Sequence, residues 1–268
     1  MRIRFSLVAG VALLLATLAG GSAAGEPQAA RATTVPISIL ANMPRASSVA
    51  RVALPTAATQ PPRVGIQAGH WLTSQVPDEL VKLRALGGGY YGYLTEWEYA
   101  LDIALRVAAI LSAKGYAVDV LPATVPEHYR ADVFVSLHTD GDVTGTARGF
   151  KVAHGEDRSR FDDLLIETLA REYERVTHLP NNLSLTDEMT GYYAFRSSRF
   201  DHAVTALTPA AIIEMGFLTS AADRSLLLGQ RDLVAFGIAS AVQRFLEEMP
   251  SRMRARPDLM LPLRDEER

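Results

Sequence analysis

Between residues 63 and 249 the chain alternates short apolar runs with longer amphipathic ones. The runs at 63–67, 116–121, 132–137, 149–153 and 210–213 carry β-branched or aromatic residues and are bounded by turn formers, which predicts five strands. Residues 95–114, 158–176, 221–228 and 233–249 show helical periodicity. Gly115 is placed to end the first of these helices, and Thr219 or Ser220 to cap the third. Strands alternating with helices predict an α/β fold, a single layered domain with a twisted, mostly parallel sheet flanked by helices. Reactive groups on such a sheet gather at the carboxyl ends of its strands.

The flanks break this pattern. Arg2 and Arg4 precede an apolar stretch over 5–18, and Ser22 and Ala24 then fit a small-x-small cleavage site. This predicts an export signal over 1–24 and a protein of the periplasm or extracellular cell envelope. The apolar run is short for a membrane span, so no stable membrane insertion is expected once the signal is cleaved. Residues 25–62 are dominated by Ala, Thr, Ser and Pro without one aromatic residue, and read as a disordered linker. Residues 250–268 hold five Arg and three Pro and read as a flexible tail, leaving 63–249 as the folded domain.

Composition narrows the chemistry. The 268 residues contain no cysteine, which excludes disulfides, cysteine-ligated zinc, iron–sulfur clusters and a thiol nucleophile. Lys and Arg total 27 against 30 Asp and Glu, a balance that argues against a nucleic-acid partner. A catalytic metal would have to be held by carboxylates and by some of the six histidines.

Two histidines stand at strand ends: His70, joined to the first strand through Gly69, and His138, directly after the third. On the helix that follows the glycine-rich stretch, Glu96 and Glu98 point to opposite sides. Glu98 aligns with Asp102 and Arg106 on a solvated face, whereas Glu96 aligns with Ala100, Ile103 and Val107 on the apolar stripe that should meet the sheet. A carboxylate turned inward needs a partner, and a metal ion is one. Two His and one Glu, with a fourth position left to water, form a catalytic zinc set. Such a site also needs a base, and Glu214, at the end of the apolar run 210–213, is the candidate. Other readings remain at this point. The histidines could be structural, Glu96 could merely complement the helix dipole, and Glu214 could pair with Arg196 or Arg199.

Four motifs, in order, resemble the zinc-dependent N-acetylmuramoyl-L-alanine amidases, the peptidoglycan amidases of the amidase-3 type. They are Val64-Gly-Ile-Gln-Ala-Gly-His70, Glu96 followed by Leu101-Asp-Ile-Ala-Leu105, Ala131-Asp-Val-Phe-Val-Ser-Leu-His138, and Pro209-Ala-Ala-Ile-Ile-Glu-Met-Gly-Phe-Leu-Thr-Ser220. The resemblance implies one Zn²⁺ per chain on His70, Glu96 and His138, with Glu214 as the catalytic base. The implied reaction is hydrolysis of the amide between N-acetylmuramic acid and the L-alanine of the stem peptide, with peptidoglycan or a muropeptide as substrate. The same residues would also serve a zinc peptidase or carboxypeptidase acting on stem peptides. A non-catalytic peptidoglycan-binding homologue is the third alternative.

The sequence departs from the family pattern at several places. Gln67-Ala68 stand where Asp-Pro is usual, Trp71 follows the histidine in place of Gly, Ala100 replaces an Asn, and Thr139-Asp140-Gly141 replace Ala-Asn-Ala. The usual Asp could orient the zinc histidine, and Gln67 offers an acceptor in its place. Two residues are candidates for substrate binding: Arg196 for a stem-peptide carboxylate, and Trp71 for stacking on a sugar, with simple packing as its alternative.

Overall fold

The computed structural model describes residues 60–156 and 159–249. The expected export signal, the expected linker up to residue 59 and the expected tail lie outside the described residues, as does Arg158, the expected start of the second helix. The strands are β1 (Arg63–Ala68), β2 (Tyr90–Tyr91), β3 (Leu94–Thr95), β4 (Ala117–Leu121), β5 (Val133–Asp140), β6 (Lys151–Ala153) and β7 (Ala210–Phe217). The helices are α1 (Glu96–Ala113), α2 (Asp162–Thr177), α3 (Asp187–Thr190), α4 (Ala221–Gly229) and α5 (Arg231–Glu248). Among the described residues no single helix is long and apolar enough to cross a membrane.

The main sheet has the order β4-β1-β5-β7-β6. Four strands run parallel, and only the edge strand β6 is antiparallel, pairing with β7. Side chains alternate between the two faces. One face presents Val64, Ile66, Val133, Val135, Leu137 and Ile213 to α1, α2 and α5, and this is the larger core. The other presents Phe134 and Ile212 to irregular segments that contribute Val76, Leu80, Tyr129 and Tyr193.

The helix starts show their causes. Thr95 caps α1: its hydroxyl accepts from the Glu98 amide, while the Glu98 carboxylate accepts from the Thr95 amide at 3.0 Å. Glu98 therefore faces outward, and Asp102 pairs with Arg106 at 2.9 Å and with Arg231 at 2.7 Å, all on the solvated side. Ser220 caps α4. Helix α2 begins at Asp162, later than its periodicity suggests. The Asp162 carboxylate accepts from both the amide and the hydroxyl of Ser159 at 2.8 Å, which holds the approach to the helix in a turn. The strands β5 and β7 run further than expected, so His138 and Glu214 sit within paired strands rather than just past them or at their ends.

Asp223 ties the carboxyl end of the sheet together. It is fully buried and accepts hydrogen bonds from the amides of Gly149 at 2.7 Å and Phe217 at 3.2 Å, joining α4, the end of β7 and the approach to β6. Replacing it with Ala leaves buried N–H groups unsatisfied. Asp223→Ala should cost about 2–3 kcal/mol of unfolding free energy in a denaturant titration. A loss below about 0.5 kcal/mol would show that Asp223 does not brace the fold.

Candidate metal centre and active site

Three segments deliver three side chains to one point above the ends of β1 and β5. The first is the turn after β1. His70 adopts a left-handed backbone, φ 58°, uncommon for a residue with a side chain and typical of strained functional positions. The step before it must be glycine: a Cβ at Gly69 would lie 2.4 Å from the His138 ring, so only a bare backbone lets β1 end against that imidazole.

The second segment is α1, whose inward face places Glu96 only 4% exposed. The third is β5, which carries His138 toward the second face of the sheet, on the opposite side from Leu137. One ligand atom from each of His70, Glu96 and His138 lies within 4.8 Å of the others.

Backbone amides hold the Glu96 carboxylate. Gly89 N–H donates to Oε2 at 2.7 Å, and Thr139 N–H donates to Oε1 at 3.2 Å. The Thr139 amide is available because β1 has ended: Gly69 N–H takes the Leu137 carbonyl at 2.9 Å, and Thr139 is the next residue of β5 to face that side. His138 Nδ1 approaches the same Oε1 at 3.0 Å, and His70 Nε2 lies 3.5 Å from it. Burial alone would raise the Glu96 carboxyl. The hydrogen bond and charge of His138, the charge of His70 and the Gly89 amide outweigh it and hold the group well below the usual range.

The two histidines differ. Burial lowers the pKa of His70, and His138 adds to this against the opposing pull of Glu96 and Leu86. Its Nδ1 sits 2.9 Å from the Leu86 carbonyl oxygen, so that nitrogen carries the proton and Nε2 presents a lone pair to the cluster. For His138, burial opposes the charged form but the Glu96 carboxylate prevails, raising its pKa. Its Nε2 is buried without a hydrogen-bond partner in the protein.

Glu214 lies on β7 directly opposite His138 in the parallel register and opposite Lys151 in the antiparallel one. These three side chains therefore share one face of the sheet, with Glu214 in the middle. Lys151 is itself buried and pairs with Asp140 at 2.6 Å. The expected alternative of an arginine partner for Glu214 is not what this neighbourhood provides: neither Arg196 nor Arg199 forms an ion pair among the described residues. One Glu214 oxygen, Oε2, is buried without a hydrogen-bond partner. Burial pushes the carboxyl up to about 8; Glu96 and Asp140 act in the same sense and His138 and Lys151 against it.

The remaining candidates have other surroundings. Gln67 does not orient His70. It is fully buried, donates to Tyr193 Oη at 2.9 Å and to the Ala123 carbonyl at 3.1 Å, and accepts from Tyr192 Oη at 2.9 Å. Tyr192, which sequence reasoning passed over, sets its ring edge-on to His138 with centroids 5.5 Å apart. Trp71 is partly buried and packs against the larger core. Arg196 is half-buried just after the 3₁₀ turn Tyr193–Phe195.

Residues 64–244 match the family model described as N-acetylmuramoyl-L-alanine amidase. No curated protein matches the sequence. Among solved structures, an N-acetylmuramoyl-L-alanine amidase from Clostridium difficile 630 is 20% identical with TM-score 0.51, over 71% of this chain and 100% of that one. The amidase AmiC2 of Nostoc punctiforme is 19% identical with TM-score 0.51, over 69% and 97%. The catalytic domain of CwlV from Bacillus (Paenibacillus) polymyxa var. colistinus is 21% identical with TM-score 0.50, over 69% and 98%. At such identities the structures establish the shared fold, a five-stranded, mostly parallel sheet flanked by helices. The family match, spanning well over half of the sequence, establishes more: the chain belongs to the N-acetylmuramoyl-L-alanine amidases, hydrolases of the amide bond between N-acetylmuramic acid and L-alanine.

Proposed function

We propose that this amidase is an exported cell-wall hydrolase that holds one Zn²⁺ on His70, Glu96 and His138 and uses Glu214 as its acid–base group. The observation that carries the reading is the convergence of three ligand atoms within 4.8 Å, beside a carboxyl on the neighbouring strand. The donor set suits the ion: two imidazoles and one carboxylate are a zinc combination, whereas Mg²⁺ and Ca²⁺ favour oxygen ligands. The fit is supported by the buried, unpartnered Nε2 of His138 and Oε2 of Glu214, since each orphaned polar atom is costly in a dry site. The same reading takes 1–24 as the export signal, 25–62 as the spacer, 63–249 as the catalytic domain and 250–268 as its tail, on the patterns of the sequence.

When bound, the zinc ion supplies a Lewis acid at the scissile carbonyl and at the attacking water. The chain's own residues do the rest. The Leu86 carbonyl fixes the His70 tautomer, and the Gly89 and Thr139 amides fix the Glu96 carboxylate, so neither ligand must reorganise. Glu214 takes the proton released as water oxygen bonds to the amide carbon. It then delivers that proton to the alanine nitrogen as the carbon–nitrogen bond breaks, leaving a lactyl carboxyl and a free amine. Its buried position raises its basicity above that of a solvated carboxylate, which serves both steps.

The full-length protein should carry about one zinc per chain by elemental analysis, and His70→Ala should lose it. Glu214→Gln should keep the metal while kcat falls by roughly 10²–10⁴. Full activity in that variant would remove the base assignment and leave the metal site standing. Product masses should show an intact stem peptide beginning at L-alanine; cleavage within the stem would identify a peptidase instead.

The pH dependence has a defined sign. A base works only when unprotonated, and the Glu214 pKa is raised by burial. Activity should therefore fall as pH drops through a limb above the ordinary glutamate range of about 4.3. A pH–kcat/KM profile whose acid limb lies at or below that value would contradict the role.

A further inference from the structure

Resting on the amidase reading, we infer that Tyr90 is a specificity-determining residue that packs its ring against the muramyl sugar of the substrate. The argument begins with the hairpin that carries it. Strands β2 and β3 pair Tyr90 with Thr95 and Tyr91 with Leu94, and the hairpin runs straight into α1 and Glu96. Its base is fastened to the proposed metal ligands. The Glu96 amide donates to the Gly89 carbonyl at 2.9 Å, and the Gly89 amide returns a bond to the Glu96 carboxylate at 2.7 Å. Gly88, at φ +77°, sits so close that a Cβ there would lie 2.8 Å from the His70 ring and 2.9 Å from the Glu96 carboxylate.

The hairpin is fastened on its far side as well. The Arg224 guanidinium stacks on Tyr91, 3.7 Å from the ring centroid, and donates to the Leu218 carbonyl at 2.6 Å. Adjacent residues of a strand face opposite ways. With Tyr91 turned to Arg224, Tyr90 turns to the other side, where it lines a groove with Gly89, Thr139, Asp142, Leu218 and Thr219. This groove adjoins the centre, because two of its walls, Gly89 and Thr139, are the residues whose amides hold Glu96.

Tyr90 is 76% exposed, although the arm that bears it is clamped at both ends. A large ring held in water beside a reaction centre is preorganised to cover an apolar face. The groove's charge selects which half of the substrate that is. Its only charged lining residues are Asp140 and Asp142. Asp140 is paired with Lys151, so the groove's uncompensated charge is that of Asp142, which repels the terminal carboxylate of a stem peptide. The muramyl half is neutral, because its lactyl carboxyl is the amide to be cut. A pyranose also offers a flat C–H face for the ring and a hydroxyl rim for groups such as the Thr139 hydroxyl, which is buried and unpartnered.

The test uses the full-length protein and a defined probe, N-acetylmuramic acid with its lactyl carboxyl capped as a methylamide, titrated by NMR into the Glu214→Gln background. Tyr90→Ala should weaken the probe about tenfold, and Tyr90→Phe should bind it like the parent, since the ring and not the hydroxyl makes the contact. The stem peptide alone should bind the parent and Tyr90→Ala equally. In turnover of muropeptides, Tyr90→Ala on the otherwise wild-type protein should lower kcat/KM about tenfold, through KM. Equal affinity of Tyr90→Ala and the parent for the probe, or a loss in Tyr90→Phe as large as in Tyr90→Ala, would overturn the inference. A wild-type protein that cleaves no muropeptide would instead defeat the amidase reading, and the sugar titration would still decide the role of Tyr90.

Discussion

The Glu96 carboxylate is the constraint on which the catalytic end of this molecule depends. A charge with 4% exposure must be compensated in place, and the compensation is distributed over the structure. One oxygen is taken by the amide of Gly89 at the foot of the hairpin, the other by the amide of Thr139 beyond the end of β1, and both histidines close on it. The positions of the hairpin, the β1 turn and the end of β5 are thus fixed by one side chain. The capping box of Thr95 and Glu98 delivers that side chain by starting α1 with Glu96 as its first residue.

The sheet then supplies what the carboxylate cannot. Parallel register places Glu214 beside His138, and the antiparallel edge strand places Lys151 on the other flank of Glu214. In this row Lys151 pairs with Asp140, while Glu214 Oε2 is buried without a hydrogen-bond partner. A buried, basic carboxyl between the His70–Glu96–His138 cluster and a buried ion pair is the setting on which the proposed proton-carrying role of Glu214 rests. Asp223 has a bracing place instead: its Oδ2 accepts from the amides of Gly149 and Phe217.

Much of this was legible in the sequence because it follows from periodicity. The opposite faces of Glu96 and Glu98, the strands that deliver His138 and Glu214, and the order of elements all derive from spacings of 2 and 3.6 residues. What escaped was set by tertiary contact. The Ser159 turn delays α2 by a side-chain bond that periodicity does not register. Gln67 looked like a stand-in for an orienting carboxylate, yet it braces Tyr192 and Tyr193 from across the fold, while a backbone carbonyl at Leu86 orients His70. Tyr192 sits in a polar stretch, where no local pattern distinguishes an aromatic ring set against His138 from one at the surface.

The hold on Glu96 through main-chain amides has an evolutionary side. An amide is present whatever the side chain, so the contact survives substitution at the residues that make it. A side chain at position 89 would meet Glu96 Oε2 at 3.6 Å, an ordinary van der Waals distance, and Thr139 already makes its contact while carrying a side chain. The loops are constrained elsewhere, at Gly69 and Gly88, where a Cβ would lie 2.4 Å from the His138 ring and 2.8 Å from the His70 ring. Side chains are thus tolerated where only the amide is used and excluded at the two glycines that let the backbone approach the His and Glu side chains.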